Sequence, residues 1–267
     1  MKKVLTIAGS DSCGGAGIQA DLKTMSALGV YGMSIISAVT AQNTKGVVAV
    51  QEINKEIVEA QIRAIFDDIK VDAVKIGMVS NSQIIKTIRE LLIEYKVKNI
   101  VLDPVMISKS GYYLLKPEAI DELKELIKIS DIVTPNIPEA EELTGMKITC
   151  EEEMKKAALR IKEYGVKNVL VKGGHRCNDS TDILYYDKKF MALEGKRIET
   201  KNTHGTGCTL SSAIASYIAK GYSIEESVKF SKEYITLAIK NSFSIGHGVG
   251  PVGHFVDLYE KASLDYK

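Results

Sequence analysis

The sequence predicts a doubly wound α/β fold, and three observations lead to this prediction. Short apolar runs rich in β-branched residues alternate with longer segments in which apolar residues recur three and four positions apart. Glycine and polar residues cluster directly after the short runs, where such folds bind their ligands. No linker, low-complexity tract or repeat interrupts the pattern. We therefore expect a mostly parallel sheet covered by helices, in a single domain over residues 1–267.

Six apolar runs have the composition of buried strands. They predict strands at residues 4–8, 34–40, 73–76, 100–102, 132–134 and 169–171. Between them, five segments with a helical spacing of apolar residues predict amphipathic helices at residues 18–28, 56–68, 83–95, 118–127 and 151–164. The alternation of the two patterns indicates parallel strands connected by helices.

The pattern changes in the last third of the chain. Two short apolar runs, residues 182–186 and 190–193, are joined by Asp187-Lys188-Lys189 and predict an antiparallel β-hairpin. Two successive helices follow, at about residues 209–220 and 224–240, and a glycine-rich stretch occupies residues 246–253. The hairpin therefore adds a small antiparallel edge to a mostly parallel sheet.

The charges of the chain are almost balanced, with 35 Lys and Arg against 34 Asp and Glu. A net charge near zero gives no electrostatic reason to expect nucleic acid or an anionic membrane as a partner. The apolar residues after Met1-Lys2-Lys3 are too few for a secretory signal, and no run approaches the roughly 18 apolar residues of a membrane span. We therefore expect a cytoplasmic protein with a small-molecule ligand.

The four cysteines, Cys13, Cys150, Cys177 and Cys208, show no CxxC pair and no regular spacing. Neither a structural zinc site nor a disulfide framework is predicted, and scattered thiols suit a reducing compartment. A cysteine with a chemical role must therefore be identified from its local sequence.

Polar residues and glycines follow each of the six predicted strands. Because the carboxyl ends of parallel strands meet at one edge of a sheet, we expect these residues to surround one ligand site. The segments concerned are residues 9–17, 42–43, 77–78, 103–104, 136–139 and 172–175.

The first glycine-rich turn offers a competing hypothesis. Residues 15–20 match the dinucleotide-binding pattern G-x-G-x-x-A between a strand and a helix. That pattern also requires an acidic residue about 20 positions further on, but residues 40–44 contain none and the next carboxylate is Glu52. A dinucleotide-dependent oxidoreductase is therefore the weaker alternative. The glycines also suit a tight turn by themselves, and Asp11 and Asp21 beside them either bind a ligand or cap the turn.

The second glycine-rich turn, residues 202–209, runs directly into a predicted helix. Unpaired amides and the positive end of the helix dipole favour an anion at such a position, for example a phosphoryl group. An ordinary N-cap formed by Thr206 or Thr209 is the alternative. We expect the helix N-terminus to lower the pKa of Cys208 below the usual value of about 8.5, which would make the thiol a usable base or nucleophile. An inert packing role for Cys208 stays open.

Phosphoryl transfer also needs charge compensation by cations. Suitable groups follow predicted strands: Asp103 after one strand, Asn136 and Glu139 on the next turn, and Lys172 before two glycines. Each of these residues alone is more often a cap or a solvated charge. Their shared position at strand ends indicates a phosphoryl-transfer site.

Six ordered segments carry the most specific signal in the chain. They read AGSDSCGGAGIQADLK at residues 8–23, TAQNT at 40–44, DPVM at 103–106, TPNIPE at 134–139, VKGGH at 171–175 and HGTGCT at 204–209. Together they resemble the motifs of hydroxymethylpyrimidine/phosphomethylpyrimidine kinases of thiamin synthesis, a family of the ribokinase superfamily. The likeness extends from the first predicted strand to residues 246–255.

The resemblance implies a ribokinase-like fold, with a mostly parallel central sheet flanked by helices on both faces, and a homodimer. It also implies ATP- and Mg²⁺-dependent phosphorylation of 4-amino-5-hydroxymethyl-2-methylpyrimidine, followed by phosphorylation of the monophosphate to the diphosphate. Cys208 would be the general base for the substrate hydroxyl. The amides of Gly205, Thr206, Gly207 and Cys208 would form the anion hole.

The same resemblance gives expected roles to further residues. Expected ligands of Mg²⁺ are Asp103 and Glu139, expected ATP contacts are Lys172, Asn136 and Thr206, and expected pyrimidine contacts are Gln42, Gly9, Gly17, Asp21 and Met78. Gln42 would recognise the aminopyrimidine edge through paired hydrogen bonds of its amide.

Some bacterial pyridoxal kinases of the same superfamily share most of these motifs and are the nearest alternative. In them a second cysteine lies in the flap after the Asp-Pro-Val-Met motif, whereas residues 107–111 here read Ile-Ser-Lys-Ser-Gly. Together with Gln42, the serine favours the pyrimidine substrate. Ser12-Cys13 stands where the family pattern has Pro-Ser, which would place Cys13 near the substrate. A protein that binds pyrimidines or vitamin B6 without catalysis is the third hypothesis.

Overall fold

The computed structural model describes residues 1–107, 111–174 and 180–264 of the chain. Nine strands in these residues form one sheet. They are β1 (Lys3–Asp11), β2 (Tyr31–Asn43), β3 (Gly46–Glu52), β4 (Ala73–Ile76), β5 (Ile100–Leu102), β6 (Ile132–Val133), β7 (Asn168–Val171), β8 (Asp182–Tyr186) and β9 (Lys189–Leu193). Their order across the sheet is β3-β2-β1-β4-β5-β6-β7-β8-β9.

The centre of the sheet is parallel, and its two ends are antiparallel. β2, β1, β4, β5, β6 and β7 run parallel to one another, whereas β3 pairs antiparallel with β2 and the β8–β9 hairpin pairs antiparallel with β7. The predicted parallel sheet and its edge hairpin are confirmed. The sequence gives no prediction for β3, because this edge strand is largely open to solvent: Val48 is 76% exposed, so the strand lacks the buried pattern of the central ones.

Nine α-helices lie in the described residues. They are α1 (Gly17–Ala27), α2 (Lys55–Phe66), α3 (Ser82–Glu94), α4 (Ile120–Ile129), α5 (Ile137–Thr144), α6 (Glu151–Lys162), α7 (Thr206–Lys220), α8 (Ile224–Lys240) and α9 (Val256–Lys261). All the predicted helices are present, although α4 follows a 3-10 turn at Pro117–Ala119 and α7 begins at Thr206 rather than at residue 209. α5 and α9 span 8 and 6 residues, too few to display a helical repeat in the sequence. Among the described helices, none combines the length and the apolar character that crossing a membrane requires.

Helices cover both faces of the sheet over two apolar cores. On one face, α2 to α6 pack on strand residues such as Leu5 and Ile76. On the other face, α1, α7 and α8 pack on the residues that point the opposite way, such as Val4 and Ala73. Because both faces of the central strands are buried, these strands read as continuous apolar runs, and the predicted doubly wound architecture is confirmed.

A buried histidine fastens the last segment of the chain to the helices beside the sheet. His254 is 7% exposed, and its Nε2 lies 3.0 Å from the hydroxyl of Thr209 on α7. The hydroxyl of Tyr234 on α8 donates to the carbonyl oxygen of His254 at 2.8 Å. Burial lowers the pKa of His254 to about 4, because the charged imidazolium is poorly solvated there.

We expect this histidine to make the fold less stable in mild acid. The unfolded chain takes up a proton near the ordinary histidine pKa of about 6.5, whereas the folded chain resists protonation until about pH 4. The contribution of His254 to the free energy of unfolding is therefore fully present above pH 6.5. It decreases as the pH falls towards 4, by about 3 kcal/mol in total. Urea unfolding of the parent and of His254→Gln between pH 7 and 4 measures this difference.

The exposed His247 supplies the matched control for this experiment. His247→Gln should follow the pH dependence of the parent, and His254→Gln should show a shallower decline. Equal slopes for all three proteins would mean that His254 does not resist protonation.

Candidate active site

A cavity of about 310 Å³ opens at the carboxyl ends of the parallel strands. Its volume lies within the range of pockets that bind small molecules. Twelve of the thirteen site residues predicted from the sequence line it, and only Asp21 does not. The twelve are Gly9, Gly17, Gln42, Met78, Asp103, Asn136, Glu139, Lys172, Gly205, Thr206, Gly207 and Cys208.

Two glycine-rich turns pack against each other at the cavity; we call residues 9–17 the first glycine turn and residues 202–208 the second glycine turn. Gly205 has a φ of +78°, and a Cβ there would lie 1.7 Å from the carbonyl oxygen of Gly15. Gly17 has a φ of +55°, and a Cβ there would lie 2.3 Å from the carbonyl oxygen of Gly9. Both positions therefore require glycine, for backbone conformation and for space.

The second glycine turn leaves the start of α7 without a side-chain cap. The N-cap residue is Gly205, which has no side chain. The hydroxyl of Thr206 donates to the carbonyl of Thr203 at 2.8 Å, and the hydroxyl of Thr209 pairs with His254. The alternative that Thr206 or Thr209 caps α7 is therefore wrong. The amide of Thr206 donates to the carbonyl of Thr203 at the long distance of 3.4 Å. The other first-turn amides and the positive end of the helix dipole remain for an anion in the cavity.

A lysine and an aspartate lie against this helix start. Lys172 Nζ is 2.7 Å from Asp103 Oδ1, and Thr134 donates its hydroxyl hydrogen to the same oxygen at 3.2 Å. A Cβ placed on Gly207 would lie 3.3 Å from Asp103 Oδ2 and 3.4 Å from Lys172 Nζ. The cationic group and the anion-binding amides therefore face the same small volume.

Asn136 and Glu139 reach the cavity from the start of α5, where they form a reciprocal capping box. The amide of Asn136 donates to Glu139 Oε2 at 2.8 Å, and the amide of Glu139 donates to Asn136 Oδ1 at 2.9 Å. Burial raises the pKa of Glu139 to about 7; the charge on Lys172 lowers it, and the charge on Asp103 raises it. A second cation near Glu139 would therefore be favourable.

The two carboxyl groups fit a Mg²⁺ ion that is shared with a substrate. Mg²⁺ in proteins is commonly held by one or two carboxylates together with phosphate oxygens and water. Within the described part of the chain, no three His, Cys, Asp or Glu side chains are arranged to hold a metal ion by themselves. Asp103 and Glu139 both line the cavity, and the pKa of Glu139 is raised by burial although Lys172 lies near it.

Cys208 lines the cavity, but its acidity differs from the prediction. Burial raises the pKa of the thiol to about 11, and the charges on Asp21 and Asp103 add to the rise, while Lys75 lowers it. The backbone amide of Gly17 beside the sulfur also lowers the pKa. The prediction of a lowered pKa is wrong, because the cost of burying a thiolate exceeds the benefit of the helix N-terminus.

Asp21 belongs to a buried ion pair and does not contact the cavity. Both Asp21 and Lys75 are fully buried, and Lys75 Nζ lies 2.8 Å from Asp21 Oδ2. The carboxylate also accepts hydrogen bonds from Thr6 and Ser212, both at 2.6 Å. This position corrects the prediction that Asp21 contacts the substrate: the carboxylate joins α1 to β1, β4 and α7.

Asp11 had two open roles in the sequence analysis, and His204 had none. Asp11 accepts hydrogen bonds from the amides of Cys13, Gly15 and Ala16 at 2.8, 3.0 and 2.8 Å. It therefore caps the first glycine turn, which is one of its two predicted roles. His204 Nε2 lies 2.8 Å from Asp11 Oδ2. The signal in the sequence is an aspartate directly before a glycine turn, which commonly binds the amides that follow it.

The glycine-rich stretch at residues 246–253 also contributes to the cavity. The amide of Val249 donates to the carbonyl of Thr44 at 2.8 Å, and both residues line the cavity. Of the flap sequence at residues 107–111, Ile107 lines the cavity. Residues 108–110 and His175, which belong to two predicted motifs, lie outside the described residues, as does Cys177.

The fold and this cavity define a class of protein. Phosphoryl transfer needs an anion cradle and cationic groups around one volume, and the start of α7 and Lys172 supply them at the carboxyl ends of a doubly wound sheet. The class is a small-molecule phosphotransferase. A sequence model described as phosphomethylpyrimidine kinase matches residues 11–253, and the chain belongs to this family. Because the chain belongs to this kinase family, the hypothesis of a dinucleotide-dependent oxidoreductase is wrong.

Similar proteins support the same assignment along nearly the whole chain. The hydroxymethylpyrimidine/phosphomethylpyrimidine kinase of Bacillus subtilis is 46% identical over 266 residues, which are 98% of this chain and 97% of that protein. The thiamine biosynthesis bifunctional protein ThiED of Geobacter sulfurreducens is 49% identical over 255 residues, 95% of this chain, and this chain spans only 52% of its length.

Two solved structures are similar to the fold. The phosphomethylpyrimidine kinase of Clostridium difficile has a TM-score of 0.81 and 56% identity, covering 90% of this chain and 100% of that one. The ADP complex of Bacillus subtilis pyridoxal kinase has a TM-score of 0.89 and 40% identity, covering 95% and 97%. The ribokinase-like fold predicted from the resemblance is confirmed.

The buried ion pair beside the cavity yields a prediction about stability. Lys75→Met should lower the free energy of unfolding by about 3–5 kcal/mol, because it leaves the carboxylate of Asp21 buried without its cation. Lys75→Met combined with Asp21→Asn should recover a large part of this loss. Chemical denaturation of the parent, the single variant and the double variant measures both effects.

An exposed pair provides the comparison. Lys2 pairs with Asp72 at 3.3 Å, and its side chain is 51% exposed, so Lys2→Met should change stability little. If Lys75→Met were as mild as Lys2→Met, the buried pair would not contribute to the fold in the way described.

Proposed function

We propose that this chain transfers the γ-phosphoryl group of ATP to the hydroxymethyl group of 4-amino-5-hydroxymethyl-2-methylpyrimidine, and then phosphorylates the monophosphate to the diphosphate. One observation carries the proposal: Gly207 brings the uncapped start of α7 within contact distance of the Lys172–Asp103 pair. The names of its relatives, which are kinases of these pyrimidines, support the choice of substrate. The ADP complex of the similar pyridoxal kinase supports ATP as the donor.

In this proposal the second glycine turn holds the phosphoryl group during transfer. The amides of Gly205, Thr206, Gly207 and Cys208 donate hydrogen bonds to its equatorial oxygens, where negative charge accumulates in the transition state. Lys172 neutralises phosphate charge beside Gly207. Glycine at 207 allows this approach, because a side chain there would crowd the Lys172–Asp103 pair.

Four further groups serve the nucleotide. Asn136 and Thr206 contact ATP, and Asp103 and Glu139 would hold Mg²⁺ beside its phosphates. When bound, the ion compensates charge on the phosphate oxygens and orients them. The charge on Glu139 would then be stabilised by a second cation in addition to Lys172.

Cys208 is the group that we assign to proton transfer from the hydroxymethyl oxygen. Its thiol lies in the same turn as the anion-binding amides and lines the same cavity, so a substrate oxygen in the cavity can approach both the sulfur and the phosphoryl group. A thiol with a pKa of about 11 is largely protonated at neutral pH. The fraction that can accept a proton therefore increases about tenfold with each pH unit below that value.

The substrate edge of the cavity is formed by Gln42 with Gly9, Gly17 and Met78. The amide of Gln42 offers one donor and one acceptor side by side, which matches the ring nitrogen and amino group of an aminopyrimidine. A Cβ on Gly9 would lie 2.9 Å from the sulfur of Met78, so glycine at this position leaves room for the methionine side chain that lines the cavity. These contacts favour the pyrimidine over pyridoxal.

A coupled ADP-release assay tests the substrate directly. We expect turnover that depends on ATP and Mg²⁺ with the hydroxymethylpyrimidine and with its monophosphate, because Gln42 matches the aminopyrimidine edge. Pyridoxal kinase activity is the second candidate, since the pyridoxal kinase of Bacillus subtilis superposes with a TM-score of 0.89. Faster turnover of pyridoxal than of both pyrimidines would reverse the assignment, and tight binding without ADP release would indicate a non-catalytic binder.

Replacing the thiol tests the proposed base. Cys208→Ala should lower kcat by roughly 10²–10⁴, the usual effect of losing a general base, with little change in substrate binding. The parent kcat/KM should rise with pH between 7 and 9, because the thiolate fraction rises, and that rise should be absent in the variant. Steady-state kinetics over this pH range measures both.

The exposed Cys150 is the matched control for this experiment. Cys150→Ser should retain the rate and the pH profile of the parent. If Cys208→Ala kept the parental kcat, the thiol would not be the base, and only the amides of the turn would keep their proposed role.

Three properties implied by the sequence or the resemblance stay predictions. They are a single domain over residues 1–267, a homodimer, and a cytoplasmic protein without nucleic-acid or membrane partners. Each concerns the assembly or location of the chain rather than the chemistry of the cavity.

A further inference from the structure

Nε2 of His204, in the cavity wall, lies close to two polar groups, one of which only accepts hydrogen bonds. His204 Nε2 lies 2.8 Å from Asp11 Oδ2 and 3.2 Å from the terminal amide of Gln42. A ring nitrogen of histidine either carries a hydrogen and donates, or presents a lone pair and accepts. The two contacts together therefore determine which atom of the Gln42 amide faces His204.

Asp11 decides the state of the histidine nitrogen. Its carboxylate accepts three backbone amides of the first glycine turn. Burial alone would raise the pKa of Asp11, but the hydrogen bonds from His204 and from the amides of Cys13 and Ala16 hold it below its ordinary value. An ionised carboxylate only accepts hydrogen bonds. His204 Nε2 must therefore carry a hydrogen, whether the ring is neutral or charged.

The one hydrogen of Nε2 is directed at Asp11 and can reach Gln42 only as the weaker arm of a bifurcated bond, so the atom of Gln42 that suits this nitrogen is an acceptor, the amide oxygen. Turning the amide by half a revolution exchanges its oxygen and nitrogen with almost no change in shape. The NH₂ group then lies 3.3 Å from the hydroxyl oxygen of Thr40. That oxygen can accept, because its own hydrogen is donated to the carbonyl of Ser10 at 2.9 Å. Every donor in this chain of contacts then meets an acceptor.

We propose that the Asp11–His204 pair is a specificity-determining positioning unit: it holds the Gln42 amide with its oxygen on the His204 side and its NH₂ on the Thr40 side. One lone pair and one N–H remain at the end of the amide for the substrate. This inference rests on the proposed function, because it concerns how the same cavity reads the edge of a pyrimidine ring.

A fixed amide distinguishes two ring edges that a free amide would not. A 4-aminopyrimidine offers an amino donor beside a ring-nitrogen acceptor, and the fixed amide matches both. A 4-oxopyrimidine offers a carbonyl acceptor beside a ring N–H donor, so in the same pose it meets acceptor with acceptor and donor with donor. A free amide would turn and accept either ring. Selectivity for the amino ring therefore depends on His204, which Asp11 keeps in its donating state.

The test compares kcat/KM for 4-amino-5-hydroxymethyl-2-methylpyrimidine and for its 4-oxo counterpart. In His204→Phe, which keeps a ring but loses the N–H, the preference for the amino substrate should fall roughly 10- to 100-fold. Thr40→Val, which removes the acceptor at the other end without changing size, should lower the same preference to a smaller extent. His247→Phe is the control, since His247 is exposed and does not line the cavity.

The ratio of the two kcat/KM values distinguishes a positioning role of His204 from a purely structural one. If His204 only supported the fold of the turn, both substrates would lose kcat/KM by the same factor and their ratio would not change, which would overturn the inference while leaving the proposed function intact. If the parent does not phosphorylate the amino substrate, the proposed function is wrong. Calorimetric binding of the two pyrimidines then decides: equal affinities, or no binding, overturn the inference as well.

Discussion

The contact between the two glycine turns is the constraint on which the site depends. Gly205 packs so closely on the carbonyl of Gly15 that a single added carbon would lie 1.7 Å from the oxygen. This contact brings the starts of α1 and α7 together, although 189 positions separate the first residues of these helices (206 − 17). The amide of Gly17 can then reach the sulfur of Cys208, and both helix dipoles have their positive ends at one cavity.

Burial disfavours the charged forms of Cys208, Glu139 and Asp11, and hydrogen bonds and nearby charges decide whether each pKa rises or falls. Cys208 and Glu139 lie in poorly solvated positions near the charge on Asp103, so their pKa values rise to about 11 and about 7. Asp11 is also buried, but several hydrogen bonds reach its carboxylate and its pKa falls. The carboxylate of Asp11 is therefore the anion that organises the first glycine turn, whereas the charges of Cys208 and Glu139 depend on what is bound.

The sequence predicted the buried parts of the fold well, because continuous apolar runs and helical spacing follow from burial on both sheet faces. It did not indicate β3, which is an exposed edge strand, or α5 and α9, which are short. In the site, residue spacing located the glycine turns but not the direction of individual side chains. Asp21 points to Lys75 in the interior, and His204 meets Asp11 across a separation of 193 residues. No local pattern contains either contact, and the helix-end argument for Cys208 left out the cost of burial.

The central claim is that the amides at the start of α7 hold the phosphoryl group while Cys208 faces the incoming hydroxyl. A crystal structure of the chain with ADP, Mg²⁺, aluminium fluoride and the hydroxymethylpyrimidine tests this arrangement most directly. We expect fluorine atoms at hydrogen-bond distance, about 3 Å, from the amide nitrogens of Gly207 and Cys208, with the substrate oxygen next to the sulfur. Fluoride bound away from α7, or a substrate oxygen remote from Cys208, would contradict the account.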